Sequence, residues 1–339
     1  MRSRRASSTR SSRCSADASV ARLLGDVGEH AWIARILRRL GAARADRRVL
    51  LGPGDDAAAI RPGRRPLLLT TDTLIEGVHF RAGWAPPAAL GRRAFAVNAS
   101  DLAAMGGAPT FALLALEAPA SLSVADLDAL VMGFARAARQ AGARLVGGNL
   151  AAGPHLAITA TLLGEAPGPV VGRTGARPGD ALYVTGTLGG AGLAVRALRA
   201  GRRMRWPVPR LRVRAGRLLA PLAHAMIDVS DGLVRDAGHL CRAGAVGAEI
   251  WAARLPVAPA CRRALGTDAP CFAATAGEDY ELLVALPARA ERALRRARRR
   301  LACRLTRIGR IVAGRPIVRL VDAAGRPLAP PRPGFDHFR

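Results

Sequence analysis

Two kinds of apolar segment alternate along this chain of 339 residues, and the alternation narrows the fold more than any other feature. PLLLTTD (66–72), TFALLALE (110–117), RLVGGN (144–149) and HLAITATLLGE (155–165) are apolar runs of strand length. Around them lie longer stretches with the three-to-four-residue spacing of a helix. EHAWIARILRRL sets Trp32, Ile33, Ile36, Leu37 and Leu40 on one face before Gly41 stops it. A second helix is opened by Pro86 and Pro87 and ended by Gly106 and Gly107, and a third starts at Ser123, with Asp126 as its capping partner.

The second half repeats the mixture. Strands are expected at ALYVTG (181–186), AMIDVS (225–230), ELLVALP (281–287) and within 304–312 and 316–321; helices are expected from Gly189 and over 210–222, 231–242 and 288–301. Between the halves, GPVVGRTGARPGD (168–180) is dense in glycine and proline. The reading is two domains of mixed α/β (α+β) type, 23–167 and 168–339. Residues 1–22 are rich in Arg and Ser, cannot pack a core and read as a disordered extension; an organelle transit peptide or an early start codon would look the same.

Several function classes drop out. No apolar run is long enough to span a bilayer, so no membrane role is expected. Five scattered cysteines without C-x-x-C spacing indicate neither a disulfide framework nor a zinc site, which places the chain in a reducing cytoplasm. The net charge of +27 would ordinarily suggest nucleic acid, but the chain contains no lysine, so its 52 basic residues are all arginine. A wholesale lysine-to-arginine bias explains that charge, and with 4% aromatics there is nothing interleaved to stack on bases; specific nucleic-acid binding is not expected. Absence of lysine also removes the P-loop and protein-kinase mechanisms, each of which sets a lysine on the phosphates.

The informative residues are acidic. Of only 25 carboxylates, ten fall in five short stretches: Asp55 and Asp56, Asp72 and Glu76, Asp101, Asp228 and Asp231, and Glu278, Asp279 and Glu281. Asp72 ends an apolar strand and Asp228 follows Ala-Met-Ile, positions that are costly for a charge unless something positive joins it. Arginine could satisfy each singly, and Asp231 could cap a helix. Five such sites together fit magnesium, which takes oxygen ligands and bridges carboxylates to phosphates. Thr70, Thr71, Thr73 and Ser230 add hydroxyls, and the glycines of GPG (52–54), GG (106–107), GGN (147–149) and GTLGGAG (186–192) would let backbone N–H groups approach phosphate.

In order along the chain stand GDDAA (54–58), TTDTLIEGVHF (70–80), NASDLAAMGG (98–107), GGN (147–149), GRTGARPGD (172–180), DVSDGL (228–233), GEDYEL (277–282) and GFDHF (334–338). From about residue 24 onward, the chain resembles the thiamine-monophosphate kinase family. The resemblance implies a two-domain aminoimidazole ribonucleotide synthetase-like fold. Its N-terminal domain would form an intersubunit β-barrel, making a homodimer, beside a C-terminal α/β domain. It implies in-line transfer of the ATP γ-phosphoryl group onto the phosphate of thiamine monophosphate, with no covalent nucleophile. Asp55, Asp56, Thr70, Thr71, Asp72, Asp101, Asn149, Asp228 and Asp231 would surround magnesium; Gly147, Gly148, Arg173 and Ser230 would contact ATP; His79, Glu278 and Phe335 would face thiamine.

One position departs from the family pattern. Asp usually follows the paired glycines, before a small hydroxyl residue, whereas here Asn149 and Leu150 follow. An amide oxygen is a weaker magnesium ligand, so a higher magnesium requirement is expected. Enzymes of the same fold but different chemistry fit less well: selenophosphate synthetases normally carry a reactive cysteine or selenocysteine with a lysine, and the carbamoyl-dehydrating maturation factors would end in cysteine, whereas this chain ends GFDHFR. The sequence also leaves room for a purine-pathway ligase of that fold and for a nucleic-acid binder on an old kinase scaffold.

Overall fold

The computed structural model describes residues 22–40, 47–51 and 58–329. Asp55, Asp56, Phe335 and almost all of the Arg/Ser-rich extension lie outside them.

The first half opens with helices α1 (Leu24–Val27) and α2 (Glu29–Leu40), then a two-stranded ladder of β1 (Val49–Leu51) and β2 (Ala59–Ile60). There follow β3 (Leu67–Ile75), α3 (Pro87–Ala104), β4 (Ala108–Ala118), α4 (Val124–Gln140), β5 (Arg144–Ala152) and β6 (Ala157–Glu165). Four of these strands make a sheet in the order β3-β6-β4-β5, antiparallel except between β4 and β5. Strict alternation along β6 buries Ile158, Ala160 and Leu162 on one face. That face packs on α3 and α4, while Leu69 and Leu113 stand exposed on the other face. Gly91 and Gly133 allow α3 and α4 to cross with backbones touching, since a Cβ on either would overlap the carbonyl oxygen of Leu130 or Ala88.

In the second half come β7 (Ala181–Thr185), α5 (Gly190–Arg199), α6 (Val213–Leu219), β8 (Ala225–Val229), α7 (Leu233–Gly244) and β9 (Gly247–Trp251). Helices α8 (Pro259–Leu265) and α9 (Ala269–Thr275), strand β10 (Glu281–Leu286), α10 (Glu291–Arg298), β11 (Leu305–Val312) and β12 (Val318–Val321) complete it. The six strands run β12-β9-β11-β7-β10-β8, antiparallel except β12 with β9. Both β8 and β10 are buried along their whole length, as their mostly apolar runs suggest, with Asp228 and Glu281 as buried charges among them.

Helix α3 joins the halves. Its core face meets the four-stranded sheet, and Ala103 and Ala104 at its end pack with Leu219, Met226 and Leu282 of the second half. A helix used on every side has no polar stripe, and 14 of its residues are buried. Two local expectations need correction. Ser123 does precede α4, but its side chain makes no cap hydrogen bond. Helix 288–301 shrinks to Glu291–Arg298 after a short 3-10 turn.

Candidate functional site

Three elements converge where α3 ends. Thr70 and Asp72 lie on one side of β3, and the Thr70 hydroxyl donates to Asp101 Oδ2 at 2.6 Å. One residue earlier on α3, the Ser100 hydroxyl donates to Asp228 Oδ2 at 2.7 Å at the end of β8. Burial raises the Asp101 carboxyl above its ordinary range; the negative Asp72 adds to the rise, while the Thr70 bond and Arg173 oppose it. Asp228 is pushed up to about 7, first by burial and then by repulsion from Asp101, against the pull of Ser100 and Arg173. The two carboxyls are thus held in each other's field. Arg173, exposed in a loop that Gly172 pins through its carbonyl to Met226 N–H, is a cation acting on both.

Beside this pair opens a cleft of about 720 Å³, lined by Asp72, His79, Ser230, Asp231 and Glu278 together with Arg196, Arg199, Phe272 and Tyr280. His79 Nδ1 accepts the Ile75 N–H at 2.9 Å, which fixes the ring on its own turn. The loop 277–280 is anchored by the Glu278 N–H to Ser230 O (2.7 Å) and the Tyr280 N–H to Val229 O (2.8 Å). Both residues have left-handed backbones, φ +74° and +50°. Such conformations are unfavourable for side-chain-bearing residues and persist where the surroundings impose them. Between them, Asp279 turns inward to accept the Gly189 N–H at 2.8 Å at the start of α5, and burial raises its carboxyl well above the ordinary range.

Residues 54–166 match the AIR synthase related protein N-terminal domain and residues 177–321 the corresponding C-terminal domain. The thiamine-monophosphate kinase of Escherichia coli (strain K12) is 37% identical over 330 residues, 92% of this chain and 98% of the relative. This chain belongs to the thiamine-monophosphate kinase family. Solved structures agree with that placement. Thiamine-monophosphate kinase from Stenotrophomonas maltophilia K279a superposes with a TM-score of 0.77 at 36% identity, covering 89% of this chain and 98% of that one. AaThiL complexed with AMPPCP and TMP gives 0.69 at 32% identity, with 92% and 98% covered.

Some family motif residues come together and others do not. Thr70, Asp72, Asp101, Asp228, Ser230 and Arg173 gather as described. Thr71 faces the opposite side of the sheet, bonded to Thr161 Oγ1 (3.0 Å) and the Ala160 carbonyl (3.1 Å). Gly147, Gly148 and Asn149 lie on β5, the far edge strand, three strands and so about 14 Å across the sheet from β3. They line a separate, apolar cavity of about 750 Å³ with Trp32, Ile36 and Leu40 of α2. Within one chain of this thiamine-monophosphate kinase family member, Asn149 is therefore set apart from the strand that carries Asp72.

Asp231 does not cap α7, because the Asp236 carboxylate reaches back to the N–H groups of Asp231 and Gly232 at 3.1 Å each. Asp231 instead lies 3.6 Å from Arg235. Asp236 is pushed up to about 8 by burial, then by Asp228 and Asp231. Together with His239, whose proton affinity falls through burial and the nearby Arg242 and Arg173, Asp231 and Asp236 present ligand atoms within 4.8 Å of one another. Sequence reasoning missed Asp236 and His239, although their three-residue spacing on helix 231–242 was a usable signal. Ser100 carried none: it resembles any small residue on a buried helix. The GTLGGAG turn also differs from expectation, since its Gly189 N–H is taken by Asp279 rather than left for phosphate.

Proposed function

We propose that this chain phosphorylates thiamine monophosphate to thiamine diphosphate with ATP and magnesium, by direct in-line transfer. The observation that carries the reading is the pair of half-buried Asp101 and buried Asp228, mutually repelling and beside a cleft of about 720 Å³. A hard divalent cation fits this donor set: the atoms are carboxylate and hydroxyl oxygens, and a bound cation would offset the burial and repulsion that raise these carboxyls. Asp72, Asp101 and Asp228 would hold it, with Asp231 and Asp236 available for a second ion. Bound there, magnesium would supply charge neutralisation between the two sets of phosphate oxygens.

The remaining work falls to the chain's own residues. The acceptor phosphate is already ionised, so no strong base is required and catalysis is positioning plus electrostatics. Arg173 would clamp the donor phosphates as a bidentate partner. Ser230 would contact the nucleotide, and His79 and Glu278 would face the cationic acceptor. Conversion of thiamine monophosphate by purified protein, with Asp72→Ala alongside, tests this. Robust magnesium-dependent product that the substitution abolishes is expected; an active Asp72→Ala protein would remove the metal assignment.

The open face of the four-stranded sheet, bearing Leu69 at 66% exposure, suits strand-sheet closure against a second copy into the intersubunit barrel. A homodimer is accordingly proposed, and sedimentation at micromolar concentration should give twice the mass of one 35.4 kDa chain. No described helix is long and apolar enough to cross a membrane. A reducing cytoplasm is proposed as the place of work, where the four described cysteines would stay free.

A further inference from the structure

We propose that Arg93 is a positioning residue that holds the Glu278 carboxylate at the substrate cleft, an inference that rests on the kinase reading above. Arg93 sits on α3, 1% exposed, where no solvent-facing role is open to it. Its Nη1 donates to the Pro207 carbonyl at 2.6 Å and its Nη2 to the Glu278 carboxylate. Its Nε meets no acceptor among the described residues, so those two bonds give the guanidinium its direction. The guanidinium carbon lies over the Trp206 ring, 3.8 Å from its centre, and 5.7 Å from that of Tyr280.

What this arrangement controls is the direction of one side chain. The main chain at Glu278 and Tyr280 is already tied to Ser230 and Val229, so loop position does not depend on Arg93. Glu278, however, forms the wall between two spaces. One is the cleft with Asp72 and His79; the other is a cavity of about 440 Å³ lined by Arg210, Arg212 and Arg304. A carboxylate between them is drawn toward whichever cation offers the better bond. Arg93, fully desolvated and stacked, makes the stronger partner, because charge-assisted bonds gain most where water is excluded. Lysine could keep the charge, but not the stack or the two separate donors. A purely structural buried pair would have the same contacts, yet it would not select between substrates.

Steady-state kinetics on the full chain separates the two roles. Arg93→Met is expected to raise KM for thiamine monophosphate at least tenfold while KM for ATP stays within twofold; Arg93→Lys should fall between. In a Glu278→Gln background, adding Arg93→Met should change KM for thiamine monophosphate by less than threefold, because the group being positioned is already neutral. That double variant leaves no orphaned buried charge, so it and Arg93→Lys carry the comparison if Arg93→Met fails to fold. The proposal is overturned if both KM values rise together, if only kcat falls, or if the Arg93 effect is undiminished in the Glu278→Gln background. An unmodified protein with no activity on thiamine monophosphate would instead sink the kinase reading.

Discussion

Replacing Asp228 by asparagine should make the metal-free protein more stable and less active, by an amount set by pH. Asp228 titrates at about 7 in the folded chain against an ordinary 3.8. A rise of about 3 units at 1.36 kcal/mol each amounts to at most about 4 kcal/mol. Because the folded value is the higher one, folding takes up a proton: the stability linked to this group is fully present below pH about 4 and is lost as pH climbs through about 7. Asparagine keeps the shape, can still accept the Ser100 hydroxyl, and carries no charge to bury. Differential scanning calorimetry in chelator at pH 8 should show the variant melting roughly 3–6 °C above the parent, with less than half that gain at pH 5. Magnesium should raise the parent at pH 8 and leave the variant nearly unmoved. A variant no more stable than the parent at pH 8, or one with equal gains at both pH values, would refute the reasoning.

Other perturbations follow from the same geometry. Arg212 donates to both carboxylate oxygens of buried Glu281, and Arg212→Met should cost about 3–5 kcal/mol in urea unfolding by leaving that charge unpaired. Gly91→Ala should separate α3 from α4 and destabilise by roughly 3 kcal/mol or more, measured the same way, whereas Gly142→Ala, where a Cβ would meet nothing, should show only the smaller strain of its positive φ. Within one chain Asn149 is remote from the Asp72 strand, so Asn149→Asp tests whether position 149 serves a metal across the proposed dimer: a lower magnesium concentration at half-maximal rate is expected, and an unchanged titration would remove Asn149 from the metal site.

Much of the fold was legible because its strands and long helices announce themselves by period. β6 alternates without a break, and α3, α4 and α7 begin and end within about two residues of their sequence signals. What escaped was short: β9, α8 and α9 have five to seven residues each, and α8 and α9 start around prolines that read as loop. Asp72 and Asp228 were conspicuous by their apolar neighbours, and Asp101 by its family motif, so all three could be picked out from the sequence. Their partners could not. Arg93 is one arginine among dozens, and only burial distinguishes it. Thr70 and Thr71 stand adjacent in sequence and would both have seemed ligands, yet the pleat sends them to opposite faces and only Thr70 reaches Asp101.

The most direct test follows the γ-phosphoryl group itself. Protein incubated with γ-labelled ATP, thiamine monophosphate and magnesium should place the label in the terminal phosphate of thiamine diphosphate, and in chelator it should place none. Label recovered only as inorganic phosphate, or transferred equally well without a divalent cation, would contradict the account.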